Sequence, residues 1–150
     1  MDTDDHEILI EKGLELYDAF KYESAYPFLE KAYKLNPNCM CAMYNYANVL
    51  HQLERHEDAY DVLLKLISMN PEKAKKYCPE IKSPRGFIID AHYLIFLAMI
   101  YGQGFSQEAF NYAERHLVLR TRGIESVWPK KEIKKEINKY KIEWKKCITR

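Results

Sequence analysis

The same residues return after 34 positions, and this periodicity constrains the fold more than any other feature of the chain. Gly13, Ala25, Leu29, Ala32 and Pro37 are matched by Ala47, Ala59, Leu63, Leu66 and Pro71, and the dipeptide Asn36-Pro37 recurs as Asn70-Pro71. A period of this length is one supersecondary unit. It cannot bury its apolar face alone, so copies must stack to make a continuous core.

Within a unit each repeated position has a physical task. A small residue on the first helix, Gly13 or Ala47, lets the second helix approach closely, and Ala25 or Ala59 supplies the reciprocal gap. Leu9, Leu16 and Phe20, then Met43, Tyr46, Leu50 and Leu53, recur at the three-and-four spacing of an amphipathic helix. Ala25, Phe28, Leu29 and Ala32, then Ala59, Val62, Leu63 and Leu66, do the same for the second helices. Each closing proline cannot continue a helix and biases the preceding Asn away from helical angles, so the unit has a defined stop. Pro27 is expected in the first turn of its helix, where a missing N–H leaves no bond unmade.

A third unit is visible in altered form. Leu94, Leu97, Ala98 and Tyr101 read as its first helix and Ala109, Ala113 and His116 as its second. With Ala98 as the small position, the turn Gly102-Gln103-Gly104-Phe105 reads as one residue short, and Thr121 replaces the closing proline. Ala59 to Ala109 spans 50 residues, sixteen more than one period, so an insertion occupies about residues 72–87. Pro79, Pro84 and Gly86 break any long helix there, while Glu72 to Tyr77 has room for a short turn. After Trp128-Pro129, Ile133, Ile137, Tyr140, Trp144 and Ile148 form an apolar stripe on an otherwise lysine-rich helix. Repeat arrays need such a terminal cap to cover the last seam.

These landmarks resemble the tetratricopeptide-repeat family, a 34-residue helix-turn-helix with small, aromatic and proline positions. The resemblance implies an all-α, right-handed superhelical solenoid of three helical hairpins in one domain, residues 1–150. Its repeats would span about 6–37, 40–71 and 88–121, with a capping helix at about 129–148. In that family the first helices line a concave surface where partner peptides lie. Carried over, that surface holds Ile10, Leu14 and Tyr17, then Tyr44, Asn45, Asn48 and His51, then His92, Ile95, Phe96 and Met99. Heat-shock-type members clamp carboxylates with cations and Asn. Here Ile10, His92 and Phe96 stand at the cation positions, Leu14 replaces one Asn, and only Asn45 remains. The resemblance therefore implies an adaptor or chaperone that holds a peptide or helix of another protein in an apolar groove.

Composition adds limits. The start is acidic and no apolar run reaches the roughly 18–20 residues of a membrane-spanning helix, so a cytoplasmic protein is expected. Cys39, Cys41, Cys78 and Cys147 are read as reduced thiols, and their spacing is not that of a zinc site. The five histidines are scattered, and Asp90 and His92, two apart, do not share a helix face. Gly102-Gln103-Gly104 lacks the third glycine and the strand of a dinucleotide-binding turn. No enzyme activity, metal or cofactor is expected. The net charge of +1 hides an asymmetry: residues 1–30 carry nine acidic and two basic side chains, residues 120–150 eleven basic and four acidic. Two alternatives follow. Lys130, Lys131, Lys134 and Lys135 could contact an anion such as nucleic acid or an acidic membrane, although both are less expected partners than protein. Opposite ends of neighbouring chains could also attract and favour end-to-end association, and a self-associating scaffold would fill the apolar groove with a copy of itself, Trp144 or a neighbouring repeat inserted.

Overall fold

The computed structural model describes residues 3–120, 124 and 126–149, and no strand occurs among them. Two hairpins come first: α1 (Thr3–Asp18) with α2 (Tyr22–Leu35), and α3 (Met40–Gln52) with α4 (His56–Ile67). A 3-10 turn, Pro71–Lys73, and the single-turn α5 (Ala74–Tyr77) follow. A third hairpin joins α6 (Pro84–Gly102) to α7 (Gln107–Arg120), and α8 (Lys130–Ile148) ends the chain. Each long helix packs on its predecessor, α4 directly on α6, and the first helices α1, α3 and α6 also touch in succession. This is a helical solenoid of stacked hairpins.

The three hairpin turns share one device. Phe20, Glu54 and Gly104 adopt left-handed backbone angles, with φ of 61°, 62° and 94°. Phe20 and Glu54 are 34 residues apart, and Glu54 and Gly104 are 50 apart, the interval also seen between Ala59 and Ala109. The third turn is therefore not one residue short. Its link, residues 103–106, is one residue longer than 19–21 and 53–55, because Ser106 caps α7 by accepting from the Ala109 N–H at 3.1 Å.

That register changes which residue is equivalent to which. Counted from the turns, the partner of Gly13 and Ala47 is Leu97, and the partner of Leu29 and Leu63 is Ala113. The third hairpin has exchanged small and large across its seam. In the first, the absence of a side chain is essential: a Cβ built on Gly13 would lie 2.5 Å from Leu29 Cδ2.

Two further expectations are corrected. Because α2 begins at Tyr22, Pro27 is its sixth residue and removes an intrahelical bond that would otherwise form. Pro27 and Glu23 are both exposed, so water can satisfy the Glu23 carbonyl. Secondly, α6 is by length and composition apolar enough to cross a membrane, against the reading that no run is. Most of it is buried, which accounts for its composition: it is the central helix, packed by α4 and α7, with Tyr140 of α8 against Phe96.

The end of the solenoid is sealed by aromatic contacts. Tyr140 meets Phe96 edge-on at 5.8 Å, Trp144 stacks on Phe110 at 5.1 Å, and the Tyr101 and Tyr140 hydroxyls are 2.6 Å apart. Ile133 and Ile137 are buried beside them, whereas Ile148 stays 65% exposed, so the last turn of the apolar stripe has no surface beneath it.

Candidate functional site

The insertion is laid along the open side of the first helices. Asn70 starts it by accepting from the Glu72 N–H at 2.9 Å. The equivalent Asn36 does a different job, donating across the fold to the Tyr77 carbonyl at 2.8 Å. Cys78 then packs on the cluster of Ile10, Ala32, Cys39 and Ala42, and Ile81 is buried. Ser83 ends the segment as the cap of α6, accepting from the Gly86 N–H at 3.2 Å, with Pro84 in the first helical position.

Between this segment and the helices lies a cavity of about 670 Å³. Its apolar lining comes from Ile10 and Leu14 of α1, Cys41 and Tyr44 of α3, Ile81 of the insertion, Phe87 of α6 and Val127. The Tyr44 and Phe87 rings meet edge-on at 5.2 Å. Polar groups gather at specific places: His6, Glu7 and Glu11 on α1, Glu80 and Lys82 on the insertion, and Asp90 on α6.

Asp90 is structural. Its carboxylate accepts from Ser126 Oγ at 2.5 Å and from the Val127 N–H at 3.3 Å, fixing the segment before α8 against α6. Burial raises its pKa, and these two bonds and the nearby Arg120 oppose the rise. Burial also pushes Cys41 up to about 11 and Cys78 up to about 12, so both thiols are protonated at neutral pH and are poor nucleophiles.

His6 is less fully satisfied. It is buried, and its Nδ1 lies 3.0 Å from the Ala32 carbonyl oxygen, which can only accept. In the neutral ring the proton is therefore on Nδ1, which leaves Nε2 as an acceptor. Among the described residues this buried atom has no partner.

The predicted groove residues of the first two units divide into three groups. Ile10, Leu14 and Tyr44 line the cavity. Tyr17, Asn45 and Asn48 continue α1 and α3 beyond it: the Tyr17 hydroxyl accepts from Gln52 Nε2 at 3.3 Å, Asn45 is buried with Nδ2 3.5 Å from Cys41 Sγ, and Asn48 is half-buried. His51 turns to the hairpin end, with Nδ1 2.8 Å from His56 Nδ1 and its ring 5.8 Å from Tyr101.

The third-unit assignments are corrected. His92 faces α7, bonded through Nδ1 to the Ile88 carbonyl at 2.7 Å and lying 6.1 Å from the Tyr112 ring. Ile95, Phe96 and Met99 are interior rather than on an open surface. With the turns aligned, Leu94 matches Ile10 and Tyr44, Ala98 matches Leu14 and Asn48, and Tyr101 matches Tyr17 and His51; Leu94 and Ala98 are themselves buried, because α6 is the central helix of the fold. Phe87 and Asp90 lie seven and four residues before Leu94, on the same helical face, and were missed for want of that alignment. The constant 50-residue offset already visible in Ala59 and Ala109 was the signal that finds them. His6, Ile81 and Val127 carry no repeat signal.

On α8, Lys131, Lys134 and Lys135 are exposed and Lys130 is half-buried. Among the described residues the helix's ion pair is instead between Lys141 and Glu114, at 2.5 Å.

Residues 16–77, from the last turn of α1 to the end of α5, match the family model of the tetratricopeptide repeat. None of the curated proteins matches the chain. The matched segment contains the second repeated unit and the first only from the last turn of α1 onward, while α6, α7 and α8 lie beyond it.

Proposed function

We propose that this tetratricopeptide-repeat chain is a non-enzymatic adaptor or chaperone that holds a segment of another protein in the cavity between α1, α3, α6 and the inserted chain. Tetratricopeptide repeats generally mediate protein–protein interaction. The observation that carries the finer reading is the cavity itself: a largely apolar recess on the first-helix side, walled by a segment that the repeat does not need. Long insertions in compact domains are commonly functional. The charge around the recess is acidic, the reverse of what a carboxylate clamp requires.

Affinity capture from native extract tests the reading. Leu14→Asp and Val127→Asp each place a charge in the lining, and Val127 is 71% exposed, so its substitution spares the core. With circular dichroism unchanged, a protein retained by the wild type should be lost from both variants. Identical recovery by all three would contradict the groove.

A second reading rests on Lys131, Lys134 and Lys135, exposed on α8 without an ion-pair partner among the described residues. If they contact phosphate, affinity for an anionic surface falls steeply with salt and disappears when they become Gln.

A further inference from the structure

We infer that the segment held in the cavity is both apolar and basic: hydrophobic side chains filling the recess, with a Lys or Arg beside them. This rests on the groove reading above and adds the chemistry of the occupant. Two independent observations converge. Glu7 and Glu11 lie one helical turn apart at the α1 side of the cavity, and Glu80 stands on the insertion, against Lys82 as the one lining cation among the described residues. None of these three glutamates has an ion pair among the described residues, so their charge is available to a ligand.

The second observation is His6 Nε2. It belongs to a cavity-lining residue, is buried, has no partner among the described residues, and in the neutral ring is an acceptor, since Nδ1 then carries the proton to the Ala32 carbonyl. A buried acceptor left open is unfavourable, so an occupant that brings an N–H to this edge of the recess is favoured. A carboxylate-bearing ligand would meet three like charges and a lone pair. An ammonium or guanidinium group meets complementary charge at each of these positions, while the apolar wall of Leu14, Tyr44 and Phe87 receives its hydrophobic neighbours.

Selection from a phage library of random-sequence peptides reads this chemistry directly. The bait is the full chain, with Leu14→Asp as the groove-blocked control. The reversal Glu7→Lys/Glu11→Lys alters two exposed residues and leaves packing intact. Selected peptides should pair apolar residues with Lys or Arg, be depleted in Asp and Glu, and bind the reversed variant roughly tenfold or more weakly. Enrichment of uncharged or acidic peptides, or equal binding to the reversed variant, would overturn the inference while the groove reading stands. No enrichment over Leu14→Asp would overturn both. If the purified chain self-associates and Leu14→Asp prevents it, the occupant is the lysine-rich α8 of a second copy and the assignment to a different partner fails.

Discussion

Single residues hold the hairpins in register. Gly13 is required by contact: Ala would gain about 1 kcal/mol of helix propensity but place its Cβ 2.5 Å from Leu29 Cδ2 and 2.6 Å from Cγ. Overpacking of this kind costs about 1–3 kcal/mol, so Gly13→Ala should lower stability by up to roughly 2 kcal/mol in denaturant unfolding. Leu29→Ala should then cost less in the Gly13→Ala background than alone, since the third hairpin already uses Ala113 at that position. Phe20 and Glu54 show the opposite case, non-glycine residues at φ of 61° and 62° where the third turn uses Gly104. Glu54→Gly relieves that conformation and should raise the melting temperature, by up to about 1 kcal/mol in stability.

At the scale of elements, the first two hairpins were legible because the repeat is near-perfect there, and α8 because its apolar stripe is regular. The third hairpin was legible as a hairpin but not in register. Ala98 resembles the small position that Gly13 and Ala47 occupy, and nothing local reveals that the small residue has moved across the seam to Ala113. That one-residue error placed Phe96 on a groove, whereas Phe110 and Tyr140 enclose it. Phe96→Ala should accordingly cost about 3–5 kcal/mol of stability rather than act on binding alone. The insertion was recognised by its length, and its path was not, because Asn36 holds it through a tertiary bond to the Tyr77 carbonyl. Asn36→Ala should speed amide exchange across residues 72–83 while lowering global stability by only about 1 kcal/mol.

The whole molecule is polarised, acidic at the α1 end and around the cavity and basic along α8, with neutral histidines inside. His51 is held down to about 4 by burial and by neighbouring His56, and burial also lowers His92 and His116. A histidine depressed in the folded state binds protons more readily when unfolded. Its stabilising contribution is complete above the ordinary histidine range and is lost as pH falls toward 4. Stability should therefore decline from pH 7 to pH 5, with His51 accounting for on the order of 1–2 kcal/mol, and His51→Gln should flatten that slope in urea unfolding at the two pH values.

Photo-crosslinking sets the two ends of this polarised molecule against each other in one experiment. p-Benzoylphenylalanine is placed at Leu14, in the cavity, or at Lys135, on the exposed face of α8, and irradiated in native extract. A discrete adduct with another protein from position 14, absent from position 135, is the predicted result. Adducts from position 135 alone would contradict the groove as the working site and transfer the function to the basic helix.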